Sequence, residues 1–278
     1  LGKTGLEVSA TAFGALPIQR TELREAKKIL RRALEGGITY FDTANAYTDS
    51  EEKLGLAFEG TPRDSYVIST KSGARDGETI RKHIDLSLQH LQTDYIDLFQ
   101  FHNVTEIPGE DMLAAARNAQ EAGKIRHIGI TTHKIGVAEE AIQSGLYETL
   151  QFPFSYLASE RECALVKACE AANMGFIAMK GLCGGILTDS RACMAFMSHW
   201  PVLPIWGIQR ENELDEWLRF FSEEPCDTPE TEAVIAADRK AHPTDYPRIY
   251  DFTQMDSCRR LCLCPDCKKV IAKYNRVK

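Results

Sequence analysis

The chain alternates short apolar segments with helical segments, and this alternation constrains its fold more than any other feature. These apolar segments lack a clean alternation of apolar and polar residues, which is typical of strands buried on both faces of a parallel sheet. We predict strands at 8–14, 39–44, 66–71, 95–102, 125–131, 149–154, 175–180 and 203–208. We predict helices at 21–35, 50–59, 76–92, 109–122, 136–144, 160–173, 188–198 and 210–221.

Eight strands alternating with eight helices predict an α/β fold of the (β/α)8 TIM-barrel type over residues 1–221. A doubly wound sheet is the alternative, but it normally carries a glycine fingerprint after its first strand. Here the first strand runs into Phe13-Gly14-Ala15-Leu16-Pro17, which is no such fingerprint. Prolines interrupt the pattern beyond residue 221, so we expect 222–278 to be a C-terminal extension with helices at 230–241 and 268–278.

The charge balance excludes several partners. With 33 basic and 40 acidic residues in 278, the formal net charge is −7, so the chain has no general field to attract nucleic acid or an anionic membrane. No apolar run reaches the length of about 18 residues that a spanning helix needs, and the first residues lack the features of a signal peptide. We therefore expect a cytoplasmic protein with neither a nucleic-acid nor a membrane partner.

Four polar residues stand at or just beyond the ends of consecutive predicted strands. Asp42 and Tyr47 follow the second strand, Lys71 ends the third and His102 ends the fourth. Each alone has a structural interpretation, as a cap, a packed ring, a rim lysine or a core histidine. Because the carboxyl ends of parallel strands share one face of a barrel, the four together predict a catalytic site there.

The chemistry of this quartet suits acid catalysis at a carbonyl group. A tyrosine hydroxyl has an ordinary pKa near ~10, and a neighbouring Lys71 ammonium is expected to lower the pKa of Tyr47. Asp42 would hold that ammonium in place, and His102 would orient a substrate oxygen by a hydrogen bond. Such a site needs neither a nucleophile nor a metal.

Five ordered motifs carry a resemblance to the aldo-keto reductase superfamily over about residues 1–221. They are Leu1-Gly-Lys-Thr-Gly-Leu-Glu-Val-Ser9, Phe41-Asp42-Thr43-Ala44 with Tyr47, Ser69-Thr70-Lys71, Asp94-Tyr95-Ile96-Asp97-Leu98 with His102-Asn103, and Gly123-Lys124-Ile125-Arg126-His127-Ile128-Gly129. The resemblance implies a barrel that binds NADPH and passes hydride to an aldehyde or ketone. It also implies Tyr47 as the proton donor, Lys71 and Asp42 as its tuning pair, and His102 as the substrate orienter.

The resemblance implies a set of cofactor-binding positions as well. Thr131-Thr132 stands where the family usually has Ser-Asn, Gln151 matches the carboxamide-binding glutamine, and Met179 replaces a common aromatic residue. The other candidates are Gly14, Asp42, Lys180, Gly181, Leu182, Gly184, Gly207, Gln209 and Arg210. A tight strand–helix turn is the structural alternative for the glycines.

The preference between dinucleotides turns on the residue that follows Gln209. Arg210 could hold a 2′-phosphate, which would favour NADPH over NADH. Alternatively, Arg210 is a solvated helix residue, and NADH is then also a possible cofactor.

The last part of the chain concentrates four of its nine cysteines between residues 258 and 267. They are Cys258, Cys262, Cys264 and Cys267. Thiolate sets of this kind suit an iron–sulfur cluster or zinc and favour a reducing compartment over a disulfide scaffold. A bacterial and archaeal branch of the same superfamily is similar in Met179-Lys180-Gly181-Leu182, in Trp206-Gly207-Ile208-Gln209 and in a ferredoxin-like tail, which implies a [4Fe–4S] cluster with zinc as the alternative.

The sequence thus leads to three functional hypotheses. The first is an NADP-dependent oxidoreductase acting on a small carbonyl or alcohol substrate. The second couples nicotinamide hydride chemistry to one-electron transfer through the cluster, and it would need an electron-transfer partner. The third is a non-catalytic binding protein that keeps the barrel, against which the complete quartet argues.

Overall fold

In the computed structural model, which describes residues 1–222 and 227–242, eight parallel strands form a closed barrel. Each strand pairs with its neighbours in sequence, and the last pairs with the first. The strands are β1 Ala12–Gly14, β2 Tyr40–Asp42, β3 Val67–Ser72, β4 Ile96–Phe101, β5 Ile125–Thr131, β6 Thr149–Pro153, β7 Gly175–Met179 and β8 Val202–Gly207. The predicted TIM barrel is therefore confirmed, and the doubly wound alternative is wrong.

Helices follow the strands around the barrel. They are α1 Leu23–Glu35, α2 Ser50–Ala57, α3 Gly77–Leu91, α4 Glu110–Glu121, α5 Ile135–Ser144, α6 Glu160–Ala171, α7 Ser190–Ser198, α8 Glu211–Ser222 and α9 Pro229–Ala241. The first shows why such segments are helical, because Ala26, Ile29, Leu30 and Ala33 recur at helical spacing and are all fully buried. Among these described helices, none is long and apolar enough to cross a membrane.

The first strand is shorter than the predicted 8–14. Ahead of it, the backbone N–H of Ser9 donates to the Thr39 hydroxyl and the N–H of Thr39 donates to the Ser9 hydroxyl, each over 2.9 Å. Side-chain oxygens thus take the hydrogen bonds that a longer strand pair would make with backbone carbonyls.

The barrel interior has two layers. An apolar cluster fills the first, with Ala12, Tyr40, Val67, Leu98, Ile177, Leu203 and Ile205. Two residues further along β2, β3 and β4, the inward positions become polar, in the steps from Tyr40 to Asp42, from Val67 to Ser69 and from Leu98 to Gln100. The sequence therefore places a buried polar layer on top of an apolar one, toward the carboxyl ends of the strands.

The described part of the C-terminal extension packs on the barrel. The predicted helix at 230–241 is confirmed as α9, which contacts α7. The Tyr156 hydroxyl, in the loop after β6, donates to the Asp238 carboxylate, and Arg239 Nε donates to the Tyr156 carbonyl over 2.7 Å. The predicted helix at 268–278 lies outside the described residues, and the domain boundary at 221 and the cytoplasmic location stay predictions.

Candidate active site

The four residues predicted to be catalytic meet at one end of the barrel. Asp42 is the last residue of β2, Tyr47 lies in the loop that follows it, Lys71 is in β3 and His102 directly follows β4. Lys71 Nζ lies 2.6 Å from Asp42 Oδ2 and 5.4 Å from the centre of the Tyr47 ring. The rings of Tyr47 and His102 meet edge to face with centroids 5.7 Å apart. The folded chain therefore brings together the four side chains that the order of strands predicted to lie on one face of the barrel.

Asp42 and Lys71 form a buried ion pair. Their side chains are 4% and 1% exposed, and Lys71 Nζ donates a second hydrogen bond to the Thr43 carbonyl over 2.5 Å. Burial raises the pKa of Asp42 and lowers the pKa of Lys71, and the opposite charge of the partner counteracts each change. The pair is thus held together almost out of contact with solvent.

The expected lowering of the Tyr47 pKa is wrong in this structure. Burial, and secondly the Asp42 carboxylate, raise the pKa of Tyr47 well above its ordinary value. The physical reason is that burial disfavours the charged phenolate. Lys71 does not overcome this effect, because its ammonium donates to Asp42 and the Thr43 carbonyl and its charge is balanced by Asp42. Tyr47 is therefore a neutral phenol over the whole physiological pH range.

His102 is neutral as well. Burial, followed by the charges of Lys71, His133 and Arg75, lowers the pKa of His102 to about 3. A neutral imidazole carries one N–H donor and one acceptor nitrogen. It can therefore donate a hydrogen bond to a substrate oxygen without bringing a positive charge into the site.

Two further side chains of the polar layer, Ser69 and Gln100, were not among the site residues predicted from the sequence. Gln100 Nε2 lies 2.8 Å from Ser69 Oγ and 2.8 Å from Gln151 Oε1. Gln151 Nε2 in turn lies 3.4 Å from Asp42 Oδ2. The sequence could have indicated Gln100, because it is a polar residue in an apolar strand and lies two residues before His102, on the same face.

The predicted carboxamide-binding residues differ in their availability. Gln151 and Met179 face each other in the wall of the barrel, with Gln151 Nε2 3.9 Å from the Met179 sulfur. The Thr131 hydroxyl instead accepts from the backbone N–H of Asn103 over 2.7 Å, and the Thr132 hydroxyl donates to the Val104 carbonyl over 2.8 Å. Both threonine hydroxyls are thus engaged in holding the loop after β4. Of the predicted carboxamide-binding residues, Gln151 therefore offers the side-chain amide at this wall.

The loop after β7 contains backbone conformations that few residues adopt. Lys180 has φ 59° and Gly184 has φ 67°, and no heavy atom lies within 4 Å of the place where a Cβ of Gly184 would stand. A Cβ on Gly181 would instead lie 2.5 Å from Trp206 Cζ3. The backbone at Gly184 is therefore open to a ligand, whereas Gly181 is glycine because the Trp206 ring leaves no room for a Cβ. Leu182, between them, is half-buried.

The remaining cofactor candidates lie where β1 and β8 meet. A Cβ on Gly14 would stand 3.0 Å from the Trp206 carbonyl oxygen, and one on Gly207 would stand 3.0 Å from Pro17 Cγ. The backbone N–H groups of Gln209 and Arg210 both donate to the Glu213 carboxylate. The Arg210 side chain is 68% exposed and lies 3.5 Å from the same carboxylate, so its guanidinium is at the surface.

The predicted metal ligands Cys258, Cys262, Cys264 and Cys267 lie outside the described residues. Within residues 1–222 and 227–242, no group of three or more His, Cys, Asp or Glu side chains is arranged to hold a metal ion.

Known proteins resemble this chain in sequence and in fold. The profile of the aldo/keto reductase family matches residues 10–199. The uncharacterized oxidoreductase YrpG of Bacillus subtilis is 31% identical over 218 residues, 67% of this chain and 67% of its own. The L-galactose dehydrogenase of Arabidopsis thaliana is 32% identical over 212 residues, 68% of this chain and 66% of its own. The chain thus spans about two thirds of the length of these relatives.

Solved structures with the same fold include two bacterial proteins. An aldo-keto reductase of Bacillus halodurans in its holo form superimposes with a TM-score of 0.76 at 21% identity, covering 85% of this chain and 94% of its own. An aldo-keto reductase of Klebsiella pneumoniae in complex with NADPH superimposes with a TM-score of 0.73 at 22% identity, covering 85% and 92%. At these identities the likeness extends to the fold.

Proposed function

The chain belongs to the aldo/keto reductase family, and on that premise we propose that it transfers hydride between NADPH and the carbonyl group of an aldehyde or ketone, with Tyr47 as the proton donor. The observation that carries the proposal is the meeting of Tyr47 with Lys71 and His102 at the barrel mouth. A small alcohol is the substrate of the reverse reaction.

The residues at the barrel mouth fit a nicotinamide dinucleotide. Asp42 Oδ1 is a buried acceptor with no partner among the described residues, and buried acceptors are seldom left unbonded, so a hydroxyl group of a bound cofactor would satisfy it. Gln151 would hold the carboxamide, with the Met179 sulfur against the ring. NADPH is bound by the similar enzyme of Klebsiella pneumoniae, and the exposed Arg210 is the candidate for its 2′-phosphate.

The reduced nicotinamide supplies the hydride. As hydride adds to the carbonyl carbon, the Tyr47 hydroxyl donates its proton to the carbonyl oxygen, so the C=O group becomes an alcohol and Tyr47 becomes a phenolate. His102 donates a hydrogen bond to the same oxygen and orients the carbonyl. Lys71, held by Asp42 and 5.4 Å from the centre of the Tyr47 ring, would offset part of the cost of forming the phenolate, and solvent would then return the proton. The raised pKa of Tyr47 keeps its proton in place before the reaction.

The test is the Tyr47→Phe variant, assayed with NADPH and a panel of aldehydes and ketones. Loss of general acid catalysis is expected to lower kcat by about 100-fold or more, while NADPH binding, followed by fluorescence, stays as in the unmodified protein. Unchanged carbonyl reduction would remove Tyr47 from the mechanism. If the unmodified protein binds NADPH but reduces no carbonyl, the non-catalytic hypothesis stands instead.

Selection of NADPH over NADH is tested separately. In Arg210→Met, the dissociation constant of NADPH is expected to rise while that of NADH stays the same, because NADH lacks the 2′-phosphate. An equal change for both dinucleotides would remove Arg210 from cofactor selection.

The four C-terminal cysteines support a second proposal. Thiolates at Cys258, Cys262, Cys264 and Cys267 suit a [4Fe–4S] cluster, with zinc as the alternative. Iron and acid-labile sulfide are measured in protein purified without oxygen, followed by an absorbance titration with NADPH. Bleaching of a visible band by NADPH would support electron transfer to a partner. Zinc without iron would reject the iron–sulfur proposal.

A further inference from the structure

Gln100 lies at the centre of the buried polar layer. It is fully buried in β4, in register with Lys71 of β3 on one side and Gly129 of β5 on the other. Both hydrogens of its side-chain amide are used, since Nε2 donates to Ser69 Oγ and to Gln151 Oε1, each over 2.8 Å. This one amide therefore links side chains of β3 and β6.

The reach from β4 to β6 depends on Gly129, which lies in the strand between them. A Cβ on Gly129 would stand 2.1 Å from the Thr149 hydroxyl and 3.1 Å from Gln100 Cγ. Any larger residue would occupy the space through which the Gln100 side chain passes. The absence of a side chain at Gly129 thus permits a hydrogen bond that crosses a whole strand.

The donors and acceptors of this network leave a single arrangement for Gln151. Its Oε1 accepts from Gln100, so its Nε2 must turn to the other side, where Asp42 Oδ2 lies 3.4 Å away. The Ser69 oxygen also accepts from Gln100 over 2.8 Å, and the hydrogen bond from Gln151 helps to lower the pKa of Asp42 against the effect of burial. Gln100 thus sets the direction of the Gln151 donor without touching Asp42.

We infer that Gln100 is a positioning residue for the nicotinamide end of the cofactor, acting through the orientation of the Gln151 amide. This inference rests on the proposed function, because it assumes that Gln151 holds the nicotinamide carboxamide. Without Gln100 the Gln151 amide is free to rotate, and its donor and acceptor no longer face fixed directions.

The test is Gln100→Met, which keeps the length of the side chain and removes both donors. Two ligands are titrated by fluorescence or calorimetry: NADPH, and 2′-phospho-ADP-ribose, which is the same dinucleotide without the nicotinamide. The dissociation constant of NADPH is expected to rise about tenfold, as for the loss of one well-oriented hydrogen bond. That of 2′-phospho-ADP-ribose is expected to stay within about twofold of the unmodified protein.

A matched control separates this role from mere packing. Thr149→Val removes a hydroxyl that is buried in β6 without a partner among the described residues, and it should change the binding of neither ligand. Ser69→Ala removes one of the two acceptors of Gln100 and should weaken NADPH binding less than Gln100→Met does.

The two titrations distinguish failure of the positioning role of Gln100 from failure of the proposed use of NADPH. Equal weakening of both ligands in Gln100→Met, or unchanged NADPH binding, would overturn the positioning role of Gln100. If the unmodified protein binds neither ligand, the proposed use of NADPH itself is wrong, and the positioning role is rejected with it.

Discussion

Replacement of Lys71 by methionine measures how strongly the buried ion pair contributes to stability. Lys71 Nζ donates to Asp42 Oδ2 over 2.6 Å and to the Thr43 carbonyl over 2.5 Å, and both side chains of the pair are almost completely buried. Methionine keeps most of the apolar stem and removes the charge. Because the Asp42 carboxylate then stays buried without a counter-charge, we expect the free energy of unfolding to fall by about 3–5 kcal/mol near neutral pH.

The loss should depend on pH, with a sign that follows from Asp42. Burial already raises the pKa of Asp42 in the folded chain, and removal of the Lys71 ammonium raises it further. An unfolded aspartate titrates near ~3.9, so between that value and the pKa of the folded state the folded variant binds more protons than the unfolded one. Its free energy of unfolding then falls as pH rises. The difference from the unmodified protein should therefore be larger at about pH 8 than at about pH 5.

The assay is urea denaturation followed by the fluorescence of the three tryptophans. The double variant Asp42→Asn with Lys71→Met removes both charges and should regain about 2 kcal/mol relative to Lys71→Met alone, since no uncompensated charge remains. A loss below about 1 kcal/mol in Lys71→Met would refute the reasoning. So would a double variant no more stable than Lys71→Met.

Three further predictions follow from particular contacts. Arg63→Met should lower the free energy of unfolding by about 1.5–3 kcal/mol in urea denaturation, because Arg63 Nη2 lies 2.6 Å from the buried Asp97 carboxylate, whose other ion pair, with Arg126, has the longer distance of 3.3 Å. Gly181→Ala should lower it by about 1–3 kcal/mol, because the added Cβ would lie 2.5 Å from the Trp206 ring. The imidazole of His102 should show no titration between about pH 5 and pH 8 in NMR spectra, because burial lowers the pKa of His102 to about 3.

Matched variants provide the controls. Lys82→Met breaks an ion pair with Glu78 whose side chains are 70% and 69% exposed, and it should leave the free energy of unfolding nearly unchanged, because solvent screens an exposed pair. Gly136→Ala lies in α5 with no heavy atom within 4 Å of the added Cβ, and it should be neutral or stabilising. A Lys82 variant as unstable as the Arg63 variant, or equal effects at Gly181 and Gly136, would contradict these arguments. A His102 ring that titrates near ~6.5 would show that burial does not control it.

The alternation of apolar and helical segments was enough to predict the barrel and the order of its strands. The candidate site followed from the same pattern, because Asp42, Lys71 and His102 stand at or near strand ends that a parallel barrel brings to one face. Strand ends were less predictable, as the short β1 shows, since the Ser9 and Thr39 hydroxyls replace the strand hydrogen bonds ahead of it.

Several properties required the folded chain. Gln100 reads in the sequence as one polar residue in an apolar strand, yet its partners are Ser69 and Gln151, which are 31 and 51 positions away. Gly181 resembles a residue of a phosphate-binding turn, but the Trp206 ring occupies the place of its Cβ. Neither relation is visible in local spacing, because each depends on distant segments meeting across the barrel.

The sequence by itself determined that Asp42, Lys71 and His102 lie at the mouth of the barrel, since periodicity and strand order are local properties that a parallel barrel converts directly into position. Only the tertiary structure decided the protonation of those side chains. The pKa values of Tyr47 and His102 depend on burial and on the charges that surround them, and both are properties of the packed molecule. Burial, and secondly the Asp42 carboxylate, leave Tyr47 a neutral phenol instead of the acidified one that the sequence suggested.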